Sequence, residues 1–354
     1  MGQIQFIGIS TVEFLTPYLL ARGLIRSSRQ YQRMLYGMLA LICVILAGLV
    51  YEVQSGVQIY NRLLAPLGDV YPPIPENYER RLGMVRAQGV FPHPILLGVA
   101  MSLFLAPVLY LPPRQGGLLG GLRTLPVMLA TFFSLSAGAW LSGIVQLGLI
   151  AWAWMMRKVV RRWKILIGLI VAAYVLIDLL SNRNPFEVFI SYLTMNADTA
   201  YWRVLIFTYG MENVWNHPIF GLGLGDWVRP AFMLSDSVDN FWLVIAMRHG
   251  IPAFVLIVIA WVGMIVALAR AQLADPRDAR QRNALVYTLI GVSVSLCTVH
   301  VWTSAQYLVV FMLGRAAGCW TSAPRNRLTD RNPRLHTLGK KKPRVLGDPD
   351  PSSA

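Results

Sequence analysis

Residues 125–156 read LPVMLATFFSLSAGAWLSGIVQLGLIAWAWMM, without one Asp, Glu, Lys or Arg. As a single helix this stretch would be about 48 Å long at 1.5 Å per residue, well beyond a hydrocarbon core of about 30 Å. Ser134-Leu135-Ser136-Ala137-Gly138 interrupts it, so the pattern predicts two short helices meeting at a polar junction. Outward from there, further apolar runs cover residues 34–51, 94–111, 165–180, 251–269, 284–301 and 305–318. A run from Ile4 to Ala21 is interrupted by Glu13 and Pro17. The chain is 55% hydrophobic and 14% charged, with a mean hydropathy of +0.51; a soluble domain carries about 25% charged residues. The expected fold class is therefore an all-α polytopic integral membrane protein of about nine transmembrane helices, with one large external loop.

Charge sets the expected topology. The net charge of +15 raises the question of nucleic acid, but most Lys and Arg lie in short loops between apolar runs and in the tail. Of the 32 basic residues, only Arg62, Arg80, Arg81, Arg86, Arg183, Arg203, Arg229 and Arg248 fall on the opposite side when the runs alternate. That skew is the positive-inside pattern, so no nucleic-acid partner is expected. It implies a cytoplasmic tail, an external N-terminus and an external polar segment. Four regions follow: N-terminal membrane helices (1–181), an external loop with re-entrant or short helices (182–250), C-terminal membrane helices (251–318) and a disordered basic tail (319–354). Membrane lipids are expected partners, the tail lying near anionic headgroups. Cys43, Cys297 and Cys319 are scattered, with no paired spacing, so neither a disulfide framework nor a metal site is suggested. The first residues lack a charged n-region and a small-residue cleavage site, so no cleavable signal peptide is expected.

The external segment concentrates the chemistry. Around Arg203, Ala200-Tyr201-Trp202-Arg203-Val204-Leu205-Ile206-Phe207 suggests an amphipathic surface helix. An arginine there suits a pyrophosphate, because its planar fork donates two parallel bonds to phosphate oxygens; a snorkelling interfacial arginine is the competing reading. Gly221-Leu222-Gly223-Leu224-Gly225 lacks the GxGxxG spacing of a dinucleotide loop and reads as a tight turn near substrate. Asp239-Asn240 opens a helical run, Phe241 to Met247, broken at Arg248-His249-Gly250-Ile251-Pro252. Asp239 is read as a proton-accepting carboxylate, a helix N-cap, or both. Asp178 reads as a solvated helix end and His300 as a satisfied interhelical histidine, while Glu13 stands inside an apolar run, where carboxylates are functional candidates by default.

Four blocks carry a resemblance: Arg86-Ala87-Gln88-Gly89-Val90-Phe91-Pro92-His93-Pro94; Ser134 to Trp140; Arg203 through Pro218-Ile219-Phe220-Gly221-Leu222-Gly223-Leu224-Gly225; and Asp239-Asn240 followed by Gly250. In this order, spread over residues 80–314, they resemble the O-antigen ligase and Wzy-type polysaccharide polymerase superfamily. The resemblance implies a metal-independent inverting glycosyltransferase without cofactor. Its donor would be an undecaprenyl-pyrophosphate-linked oligosaccharide at the periplasmic face of the bacterial inner membrane, with polysaccharide-assembly proteins as further partners. Carried over by position, Arg203 and Asp239 are the catalytic candidates. Arg86, Arg229, Arg248, Asn240, Gly221 and Gly223 are the substrate-binding candidates. The departures are Asp239 where the family has His and Ala137 where its junction has Arg; Ala253 stands where the family has a small residue three after the last Gly. The absent His tilts the expectation toward polymerisation of exopolysaccharide, capsule or O-antigen repeats. Ligation of glycan to an acceptor is the alternative. A flippase for the same lipid-linked glycan is disfavoured by spans nearly free of charge and by the lack of an inverted repeat. A catalytically dead scaffold in a polysaccharide complex is the remaining reading.

Overall fold

The computed structural model describes residues 3–68, 80–112, 121–182, 185, 188–189 and 197–321. Arg114, Arg183 and the basic tail from residue 322 onward lie outside the described residues. Among those described, the fold is helical, and the one β-type pairing is an isolated bridge between Arg81 and Met84. In chain order the helices are α1 (Gln3–Leu24), α2 (Ser28–Ser55), α3 (Ile59–Leu64), α4 (Pro94–Ser102) and α5 (Leu105–Leu109). There follow α6 (Leu125–Phe133), α7 (Ala137–Met155), α8 (Arg162–Leu180) and α9 (Ala197–Asn216). The last three are α10 (Phe241–Arg270), α11 (Pro276–Ser295) and α12 (Thr303–Thr321). Four of these, α2, α7, α8 and α10, are long and apolar enough to cross a membrane, and with the all-helical fold they mark a membrane protein.

The junction expected at residues 134–138 is present. Leu135 takes φ 46°, a conformation that side chains other than glycine seldom adopt, and this ends α6 and restarts the chain as α7. Arg81 Nη1 donates to the Leu135 carbonyl (2.9 Å) and Arg86 Nε to the Ser134 carbonyl (3.3 Å). Carbonyls that a broken helix leaves without intrahelical donors are thus satisfied by guanidinium groups. Residues 270–282, the charged stretch between the apolar runs 251–269 and 284–301, are half helical. Asp275 accepts from Arg277 N (2.7 Å) and Pro276 occupies the first turn, which starts α11 inside the charged stretch.

Helices pack around one apolar core drawn from α2, α4, α5, α6, α7, α10, α11 and α12. Polar side chains join them as well as apolar ones. Gln146 of α7 donates to the Ser102 carbonyl (2.9 Å) and Ser142 Oγ (3.1 Å), and accepts from Ala106 N (3.2 Å) and Thr288 Oγ1 (3.4 Å). Such bonds hold apolar helices together where burial from water supplies no driving force. Glu13, noted as a carboxylate in an apolar run, accepts from Tyr307 Oη (2.7 Å) and so ties α1 to α12. By contrast α8 has no buried residue, as expected of a helix surrounded by lipid.

A second, smaller cluster positions the site. Val214 of α9, Trp227 and Met233 of the following loop, and Leu243, Ala246 and Met247 of α10 pack together. Within α10 the backbone breaks at Gly250 (φ 81°, ψ 171°), where the sequence predicts the helical run to stop.

Candidate functional site

The glycine turn at 221–225 and the break at Gly250 are two halves of one contact. Leu222 N donates to the Met247 carbonyl (2.8 Å), Gly223 N to the Arg248 carbonyl (3.0 Å), and Ile251 N to the Pro218 carbonyl (2.7 Å). A Cβ on Gly221, at φ +67°, would lie 2.5 Å from the Arg248 carbonyl carbon. The turn is therefore a backbone clamp on the kink of α10, and the carbonyls freed at the kink are where it bonds.

Asn213 of α9 fixes the next segment by donating to the Val228 carbonyl (2.8 Å) and accepting from Val228 N (2.9 Å). The start of α10 is capped by Asn240, whose Oδ1 accepts from Leu243 N (3.0 Å). Asp239 is not the cap, so its carboxylate is free for other work; its side-chain contact is a long bond from Ser237 Oγ (3.4 Å). Phe241 N is shared between the Leu296 and Val299 carbonyls (3.0 and 3.2 Å). This brings the loop between α11 and α12, which carries His300 and Trp302, against Asp239.

Arg203 on α9 faces this ledge. Its Nε and Nη1 are shut off from solvent and have no hydrogen-bond partner among the described residues. Burial lowers its pKa from the arginine norm, Asp239 opposes that shift, and Arg81 adds to it. Arg203 and Asp239 thus act on each other electrostatically with neither a hydrogen bond nor an ion pair between them, and Arg81 stands as a second cation nearby. Buried, unbonded donors on a fixed cation are costly unless an anion completes them.

Three spaces meet here. Arg203, Phe207, Asp239, Asn240, Leu243 and Cys297 line a narrow cleft. A cavity of about 260 Å³ lies beside it, lined by Asp236, Asp239, Arg248, His300 and Trp302 among others. Asp239 borders both. Below the cleft an apolar groove of about 820 Å³ shares Phe207, Asn240, Leu243 and Cys297 with it, and runs along Trp242, Phe254 and Trp261. A basic cleft that meets a polar cavity at Asp239 and an apolar groove at Asn240 and Leu243 suits a substrate with an anionic group between an apolar tail and a polar head.

Residues 124–258 match the family model described as O-antigen ligase. The chain carries a domain of the O-antigen ligase superfamily. No curated protein matches it. The matched segment of this O-antigen ligase domain holds the junction, Arg203, the glycine turn and Asp239, whereas Arg81, Arg86, His300 and Trp302 come from outside it.

The sequence candidates separate in space. Arg203, Asp239 and Asn240 converge, and Arg248 lines the adjacent cavity, donating to the Gly223 carbonyl (3.2 Å). Arg86 is buried, and its bond to Ser134 makes it a support for the junction. Arg229 is taken up by Asp226 (2.7 Å), the Met233 carbonyl and the Trp227 ring, and the Arg229 hydrogen bond holds the Asp226 carboxyl below its usual range. Gly221 and Gly223 serve the clamp. Nothing in the run Arg80-Arg81 tells which one turns inward; the structure leaves Arg80 exposed and brings Arg81 to the Leu135 carbonyl. Among the described residues no group of three or more His, Cys, Asp or Glu is placed to hold a metal ion.

Glu52 was also missed. It is 1% exposed near the end of α2, and its carboxylate accepts from Gln88 N (2.9 Å) and Gly89 N (3.0 Å). These bonds shape the loop that carries Arg86. Glu52→Ala would leave two buried amides unpaired at roughly 1–3 kcal/mol each. The expected outcome is a clear fall in the thermal unfolding midpoint of the detergent-purified protein, with Glu52→Gln intermediate.

Proposed function

We propose that this protein extends lipid-linked oligosaccharides, transferring glycan from a polyprenyl-pyrophosphate donor to a hydroxyl of another repeat. The observation that carries the reading is Arg203, whose two buried, unpartnered donors lie beside a free carboxylate, Asp239. The pyrophosphate accepts from the Arg203 fork, with Arg81 adding positive charge, and the polyprenyl chain lies in the apolar groove. The acceptor hydroxyl oxygen attacks the anomeric carbon from the side opposite the pyrophosphate, so the new bond forms with inversion. The bond from that carbon to the phosphate oxygen breaks, and its electron pair leaves on the pyrophosphate. The hydroxyl proton passes to Asp239. Fixed cations aimed at a leaving group that gains charge lower the barrier more than they tighten binding.

The same proposal takes the chain to the bacterial inner membrane, crossing it about nine times, with residues 182–250 as the periplasmic catalytic loop and the tail cytoplasmic. Polysaccharide-assembly proteins would be its neighbours. A second reading, ligation of finished glycan to a different acceptor, is favoured by the description of the matched family. Asp239 in place of the family's His favours polymerisation. A deletion strain separates the two, with surface glycan run on a gel and lipid-linked intermediates extracted alongside. Loss of long chains, with single repeats accumulating on lipid, is the expected result. Normal-length chains stranded on lipid would mean ligation, and intermediates trapped on the cytoplasmic leaflet would sink both.

A further inference from the structure

Trp302 lies outside the matched family segment, in the loop between α11 and α12, and is 37% exposed. Its ring borders the cavity beside Asp239. It is held from several sides. The His300 ring lies 5.9 Å away and nearly parallel (22°), and is itself set against Phe241 (6.0 Å, 23°). His93, the N-cap of α4, approaches Trp302 at 6.0 Å. Thr303 follows at φ 50°, a strained position for a β-branched residue that only firm surroundings maintain. The same cavity is lined by Asp236, Ser237 and Asp239, whose side chains carry carboxylate and hydroxyl oxygens.

An aromatic ring and oxygen acceptors lining one cavity are the pattern a sugar ring requires. The axial C–H groups of a pyranose give it an apolar face that packs on an aromatic ring, while its equatorial hydroxyls point sideways and donate to carboxylates. At about 260 Å³ the cavity is smaller than sites for drug-sized ligands, which run about 300–1,000 Å³. It therefore suits one sugar ring rather than an extended oligosaccharide.

We propose that Trp302 is the platform on which the acceptor's terminal sugar stacks, with Asp236 gripping its hydroxyls, so that the cavity beside Asp239 is the acceptor subsite and sets acceptor choice. This rests on the glycan-transfer reading above. The donor's pyrophosphate occupies the Arg203 side of Asp239 and the acceptor ring the Trp302 side, which places the attacking hydroxyl at the carboxylate between them.

The test uses the full-length protein in lipid nanodiscs. The donor is lipid-linked oligosaccharide extracted from the deletion strain. The acceptor probe is the oligosaccharide released from that lipid by mild acid and tagged at its reducing end. Trp302→Ala is expected to raise the acceptor KM by about tenfold, with donor KM within about twofold of wild type. Trp302→Phe, which keeps a ring, should recover most of the loss. Asp236→Asn, in an exposed loop, should raise the acceptor KM by about three- to tenfold, and carries the test if Trp302→Ala does not fold. Unchanged acceptor KM in Trp302→Ala and Asp236→Asn would overturn the platform. So would equal loss for donor and acceptor, which would make Trp302 an interfacial anchor. If the wild-type protein elongates no glycan, on lipid or on the probe, the function itself fails and the platform with it; elongation with an unmoved acceptor KM removes the platform alone.

Discussion

Arg203→Ala, present in the membrane at wild-type level, is expected to abolish long-chain glycan and lower transfer by at least about 100-fold, the scale set by removing one donor to a developing anion. In the protein as it stands, Arg203 Nε and Nη1 have no partner among the described residues. The alanine variant therefore breaks no hydrogen bond at those two atoms and relieves an unpaired buried group. A stability loss is not expected, which separates this variant from a folding defect. Arg203→Lys should recover little, because an ammonium is a single point charge and cannot reproduce two parallel bonds in a plane. The check is the chain-length ladder together with unfolding midpoints. Loss of the ladder with an unchanged or raised midpoint is the expected pair of results. An intact ladder would return Arg203 to the role of a snorkelling interfacial arginine.

Gly250→Ala is expected to have the opposite signature, losing stability and activity together. At φ 81° and ψ 171°, Gly250 lies in a region open essentially to glycine alone, where another residue costs about 1–3 kcal/mol. A Cβ there also meets the Ile219 carbonyl, which is backbone and cannot rotate away. To make room, the 218–225 turn must leave the kink and give up the Leu222, Gly223 and Ile251 bonds. A total of roughly 3 kcal/mol or more follows, with the segment carrying Trp227 and Asp236 released from α10. Gly263→Ala is the control, since nothing lies within 4 Å of its Cβ. A drop in unfolding midpoint for Gly250→Ala and none for Gly263→Ala is the expected contrast. Equal midpoints would show that the clamp does not hold the site.

Features set by local composition were legible in the sequence. Polar small residues at 134–138 broke an overlong apolar run, and Gly250 before Pro252 broke α10, because each acts through its own backbone. Features set by contact across the chain were not. The glycine turn reads as a loop near substrate until Arg248 is seen bonding it from 25 residues away. Arg81 and Arg80 are equivalent in sequence, and only the bond to the Leu135 carbonyl, 54 residues away, tells them apart. Asp239 and Asn240 are both good N-caps, and the structure spends Asn240 on that role, which leaves Asp239 free. His300 reads as a satisfied interhelical histidine, yet its Nδ1 has no partner among the described residues. Its value lies in stacking against Phe241 and Trp302, whose meeting depends on the Phe241 N–H reaching Leu296 and Val299.

Glycan transfer between lipid-linked oligosaccharides at Arg203 and Asp239, as proposed above, needs this single chain alone. The most direct measurement is the purified protein in nanodiscs with extracted lipid-linked repeats and no other enzyme, followed by glycan length and released lipid. The expected result is a ladder of longer glycans, one polyprenyl pyrophosphate freed per bond formed, and neither product from Asp239→Asn. Absence of a ladder from the wild-type protein, or a full ladder from Asp239→Asn, would contradict it.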